Sequence, residues 1–174
     1  MELGNYIMGV AINSQFGIDN ERLFSLLDYP KMVKERTYSF NQLIQERIIE
    51  GDQVEGLVIG QIGKGTLIFS FEVFCREDLL EKISRGNKVF CFLLDGQKDH
   101  FNIKYYVNGI LERDNFSDNQ YDEIGTPLEI ESSGKPVSII LEGLEMILGP
   151  NSSISEAEFI HFNLKKSLFN KLFS

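Results

Sequence analysis

The sequence predicts an α+β fold, a mostly antiparallel sheet of about five to seven strands with helices packed on it from both ends of the chain. Three observations carry this. Four strand-like runs follow one another mid-chain, and the hairpin signals between them impose antiparallel pairing. Amphipathic stretches with capping residues lie on either side of those runs. The 174 residues are 43% hydrophobic and 25% charged, with 14 Phe and no Trp. That composition builds a buried core and excludes a disordered, collagen-like or disulfide-scaffold chain. With no internal repeat or dividing linker, residues 1–174 read as a single domain.

Tyr6 to Ile12 is a strand by its apolar and β-branched content. Gly17 to Asn20 turn the chain, and Asp19 or Asn20 caps a short helix carrying Leu23, Phe24, Leu26 and Leu27. Asp28-Tyr29-Pro30 stops it. Ser39 and Gln42 make a capping box for a helix whose face is Phe40, Leu43, Ile44 and Ile48, ending at Gly51. Val54 to Ile62 and Thr66 to Phe74 are strands joined at Gly63-Lys64-Gly65, the second alternating through Leu67, Phe69, Phe71 and Val73. The glycines there could cradle a phosphate, but a strand follows where a P-loop needs a helix.

Glu77 to Arg85 is a helix with acids in its first turn and Gly86 just beyond its end. The pairs Asp78–Lys82 and Glu81–Arg85 lie on its wet side. Val89 to Leu94 is an unbroken apolar run, the mark of a strand covered on both faces. Asp95-Gly96 turns into a strand alternating through Phe101, Ile103, Tyr105 and Val107, and Asn108-Gly109 leads to a return strand at Ile110 to Glu112. Asn115 to Thr126 reads as a loop and Pro127 to Glu131 as a short edge strand. Pro136 opens a helix with the stripe Val137, Ile140, Leu141, Leu144 and Leu148, closed by Gly149-Pro150. Ser155 and Glu158 form a second capping box, opening a terminal helix with Lys165, Lys166 and Lys171 near its end.

The net charge is −9, which disfavours nucleic acid and anionic membranes as partners and permits a basic protein. No apolar run approaches the roughly 20 residues of a membrane helix. The start, Met-Glu-Leu-Gly-Asn, has neither a basic n-region nor a cleavage site, so the chain is expected to be cytoplasmic, with Cys75 and Cys91 as reduced thiols.

No residue pattern asks for a metal, a cofactor or catalysis. Cys75 precedes a helix, where a thiol can become a nucleophile, but neither His100 nor His161 stands at a spacing that matches a nucleophile signature. Asp95, Asp99 and His100 bracket Gly96 as turn residues do. The Asp114–Glu123 stretch lacks the ligand order of a calcium loop. Glu129 and Glu131 are candidates for a carboxylate pair.

The strongest feature is charge. From Glu112 to Glu131 seven acids face one base, Arg113, a net of −6 in 20 residues. One reading is a solvated stretch that protects a sheet edge. The other is a docking surface for a basic protein, with Glu112, Asp114, Asp118, Asp122, Glu123, Glu129 and Glu131 supplying charge, and Phe116 and Tyr121 supplying anchors.

From Gly65 to about Pro127 the chain resembles a group of small bacterial proteins known as a domain of unknown function. Its pattern is carried by Phe71-Glu72, by the run from Arg76 to Gly86, by Val89-Phe90-Cys91-Phe92, and by Phe101, Tyr105 and Asn108-Gly109. The chain departs from that pattern in having Val73-Phe74-Cys75 where members show a small polar stretch, and in lacking Trp. This resemblance implies a fold and no chemistry. In size, acidity and lack of catalytic motif the chain is also similar to the immunity proteins of bacterial toxin systems, which bind and block a cognate toxin in the cytoplasm. That likeness implies a non-enzymatic binding protein that occludes the active site of a basic toxin domain. The alternatives are a small hydrolase or transferase with a carboxylate site, and a self-associating module with Ile160, Leu164, Leu168 and Phe169 along a helical seam.

Overall fold

Apolar runs of five to eight residues with β-branched and aromatic content set the architecture, because each can bury side chains only by pairing its backbone. The computed structural model describes residues 6–17, 20–29, 31–50, 55–98, 100–117, 122–150 and 152–164. Among them are eight strands: β1 (Ile7–Ile12), β2 (Met32–Ser39), β3 (Leu57–Ile62), β4 (Gly65–Phe69), β5 (Lys88–Asp95), β6 (His100–Val107), β7 (Ile110–Phe116) and β8 (Glu158–Leu164). They form a single sheet in the order β2-β8-β3-β4-β1-β5-β6-β7, each neighbouring pair antiparallel. The α+β class is as the sequence predicts, with more strands than expected.

Both faces are covered. On one, helices α1 (Glu21–Leu26), α3 (Phe71–Cys75) and α4 (Glu77–Ser84) bury Leu23, Phe74, Leu79 and Ile83 against Met8, Val10, Ile68 and Cys91. On the other, α2 (Phe40–Gln45) and α5 (Pro136–Leu148) bury Leu43, Ile139 and Ile147 against Ala11, Leu67, Phe90 and Phe159. β5 shows why its sequence has no polar alternation: Val89 and Cys91 point into the first core and Phe90 and Phe92 into the second. Asn108 (φ 53°) and Gly109 (φ 85°) make the β6–β7 hairpin as a two-residue turn whose left-handed residues match strand twist.

Several expectations are corrected. The strand placed over Thr66–Phe74 ends at Phe69, because the Ser70 hydroxyl accepts the Val73 N–H at 3.4 Å and starts α3, leaving Phe71 40% exposed. The helix from Ser39 has its capping box but stops at Gln45; Arg47 turns left-handed (φ 57°), and Ile49 then buries while Glu50 pairs with Ile7. Ile48 therefore lies beyond the helix, and Gly51 lies outside the described residues. Asn20 stands at the N-cap of α1 without a side-chain cap bond, and Asp19 lies outside the described residues. Asp78 bonds Arg76 and Lys82 reaches Asp28, so the expected Asp78–Lys82 pair is not made.

The terminal helix is instead strand β8, seated inside the sheet between β2 and β3. Ser155 contacts Ser153, and Glu158 sits opposite Ser39. Phe159 enters one core and Phe162 the other, so the alternation of a strand wins over the capping signal. Ile160 is thus sheet-bound, while Lys165, Lys166, Leu168, Phe169 and Lys171 lie outside the described residues. β2 has no counterpart in the sequence reading: Val33 to Arg36 are exposed on an edge strand, so no apolar pattern marks it.

On α5 the stripe is rotated. Ile139, Ile140, Gly143, Leu144, Ile147 and Leu148 are buried, whereas Val137 and Leu141 are 50% and 56% exposed. Gly143 decides the rotation, since a Cβ there would overlap the Phe90 ring, and the bare backbone lets the helix sit directly on β5.

Candidate partner-binding site

β7 is an edge strand, and its successive side chains leave it in opposite directions. Arg113 and Asn115 lie opposite Tyr105 and Ile103; Asp114 and Phe116 lie opposite Lys104 and Asn102. A register shift at Tyr105/Tyr106 accommodates Glu112, which is exposed. β7 also extends through Asn115 and Phe116, the first residues of the expected loop, and Ile124 bridges to Asp114 through paired backbone bonds of 3.0 and 3.1 Å.

Arg113, 1% exposed, organises everything on its side. Its Nε donates to Glu131 Oε1 at 2.8 Å and its Nη2 to Glu131 Oε2 and Glu123 Oε2, both at 2.6 Å. Its Nη1 donates to the carbonyls of Ile124 and Gly125 at 3.2 and 3.3 Å. Glu131 also accepts the Asn115 amide at 2.6 Å and the Leu128 N–H at 2.7 Å. Those bonds curl the expected Pro127–Glu131 strand into a 3₁₀ turn at Glu129–Ser133. Burial would raise the Glu131 pKa, but Arg113 and the backbone donor outweigh it and hold the carboxyl below the usual range. Both Glu131 oxygens are thus engaged by Arg113, Asn115 and Leu128, whereas Glu129 stands exposed.

On the opposite side an open cavity of about 520 Å³ is lined by Phe74, Leu93 and Phe116 with Lys104, Asp114 and Asp122. Asp114 accepts the Asn102 amide at 3.0 Å and lies 3.7 Å from Lys104, which reaches Glu77 at 3.0 Å. Burial depresses Lys104, yet the bond to Glu77 and the Asp114 charge leave its pKa above the ordinary value.

The structure therefore splits the acidic stretch. Glu123 and Glu131 are joined to Arg113; Asp114, Phe116 and Asp122 gather at the cavity; Glu112 and Glu129 stand exposed. Asp118 and Tyr121 lie outside the described residues. Arg113, Lys104 and Asn102 went unread as site residues, although one base inside a run of seven acids is itself the signal of an internal counter-ion.

Cys75 opens onto the same cavity, and burial raises its thiol pKa more than nearby Lys104 lowers it. Iodoacetamide should accordingly alkylate Cys75 more slowly at pH 7.5 than it alkylates an unhindered peptide thiol, read by mass spectrometry. A faster reaction would restore the nucleophile reading. Asp95 accepts the Gln97 and Lys98 N–H groups at 3.0 and 3.2 Å, the use a turn makes of aspartate; Asp99 lies outside the described residues. Among the described residues no helix is long and apolar enough to cross a membrane. No family model, curated protein or solved structure matches the chain.

Proposed function

We propose that the chain is a cytoplasmic binding protein that neutralises a basic protein partner, in the manner of an immunity protein that occludes the active site of its cognate bacterial toxin. One observation carries the reading. Beyond the Arg113 ion pairs with Glu123 and Glu131, the side chains of Glu112, Asp122 and Glu129 remain exposed, with no ion pair among the described residues, and Asp122 lies at a cavity walled by Phe74 and Phe116. Uncompensated like charge repels itself, and a cationic surface relieves that repulsion. Carboxylates steer encounter while aromatic walls slow release. The resemblance to immunity proteins in size and acidity supports the same reading.

The triple variant Glu112→Gln, Asp122→Asn, Glu129→Gln removes three exposed charges without touching the Arg113 cluster. Its association rate with the product of the neighbouring reading frame should fall roughly tenfold at low salt, and the difference should vanish near 1 M salt. An unchanged rate at low salt, measured by surface plasmon resonance, would defeat the proposal.

A further inference from the structure

The side of α5 that the sheet leaves uncovered is continuous with a groove. Phe40 and Ile44 of α2, Val137, Leu141 and Leu144 of α5, and Ile154 are among the side chains that line a hollow of about 250 Å³, and every lining side chain is apolar. A second hollow of about 350 Å³ shares Leu141, Leu144 and Ile154 and adds Glu145 and Ser152. Together they follow α5, whose 13 residues span about 20 Å.

This exposure is built in. Gly143 seats the helix on Phe90 and Ile139 and Ile147 are buried beneath it, so the helix cannot roll to bring Val137 and Leu141 inward. Isolated surface aliphatics are ordinary, but two of them flanking an all-apolar groove make a contiguous patch of the kind that marks an interaction site. Charge selects the occupant. α5 carries Glu142 and Glu145, Glu145 lines the second hollow, and the turn that contributes Ile154 ends on exposed Glu156; these three glutamates outnumber Lys135 at the N-cap of α5 and Lys64 beside Gly149. An apolar floor on elements with a net negative charge fits a helix that has an apolar face flanked by lysines or arginines.

We propose that the α5–α2 groove docks a cationic amphipathic helix of the partner protein. The charge of this occupant rests on the basic-partner reading above; the location does not, since the groove lies on the α2–α5 face and away from the cavity beside β7.

The test uses the full chain and a synthetic Leu/Lys peptide whose leucines recur at i, i+3, i+4 and i+7. The peptide should bind saturably by isothermal titration, and Leu141→Asp, a change at an exposed position, should weaken it roughly tenfold or more. Val137→Asp provides a second variant at the same wall. Equal binding of a peptide with scrambled leucines, equal binding of a peptide with glutamates for lysines, or indifference to both substitutions would overturn the proposal. A chain that self-associates, with Leu141→Asp abolishing it, would also overturn it by giving the groove to a second copy. The two readings fail separately. Loss of toxin binding in the triple charge variant but not in Leu141→Asp sinks the groove alone. Leu141-dependent peptide binding, with the triple variant's association rate unchanged, sinks the charge-steering reading alone.

Discussion

Arg113→Ala is expected to destabilise the fold by about 3 to 5 kcal/mol, the range seen when one partner of a buried ion pair is removed. The loss is large because the alanine strands several acceptors at once. Glu131, 9% exposed at its side chain, keeps a buried charge with only the Asn115 amide and the Leu128 N–H, the Gly125 carbonyl loses its Arg113 donor, and the Ile124 carbonyl keeps only the Asp114 N–H. Arg113→Lys should recover less than half of the loss, since one ammonium cannot span two carboxylates and two carbonyls. Urea unfolding reads both, and a wild-type midpoint in Arg113→Ala would remove the cluster from the account of stability.

The same cluster has a pH signature. Glu131 has a lowered pKa in the folded chain, so its contribution is present above the ordinary glutamate value of about 4.3 and is lost as pH falls through the depressed folded value. Arg113, held still more firmly protonated by the Glu131 and Glu123 bonds, stays charged throughout and adds no window of its own. Glu131→Gln should therefore flatten the decline in stability between roughly pH 5 and pH 3.

Gly143→Ala is the second large effect, and its sign opposes the usual rule. Alanine for glycine in a helix interior ordinarily stabilises by about 1 kcal/mol. Here the new methyl would meet the Phe90 ring, itself buried in the second core with Phe92 beside it at 6.4 Å between centroids, so neither partner can yield freely. Overpacking costs about 1 to 3 kcal/mol, and a net loss of about 1 kcal/mol or more is expected in thermal unfolding. Phe90→Leu in the Gly143→Ala background should show favourable coupling in a double-mutant cycle. A Gly143→Ala protein more stable than wild type would mean that α5 does not sit as closely as described.

What the sequence made legible were elements whose signals are local. The Asn108-Gly109 turn, the Ser39–Gln42 capping box and the apolar run of β5 each depend on neighbours a few residues away, and each stands where expected. The misreadings share a cause, namely signals decided by distant partners. Ser155 and Glu158 have the spacing of a cap, but Phe159 and Phe162 bury on opposite cores only as part of a strand between β2 and β3. β2 is written in the charged residues of an edge. At the site, charge could be summed along the chain, yet which acids remain free depends on where Arg113 points, and that follows from its register against Tyr105.

The place of β8 has a consequence for how the molecule is made. A ribosome releases β2 and β3 early, and neither can complete its hydrogen bonding until Glu158–Leu164 has emerged to lie between them. For most of synthesis, Leu57 and its neighbours therefore wait as an open template, vulnerable to adhesion by other nascent chains, and closure of the whole sheet is postponed to the arrival of one late segment.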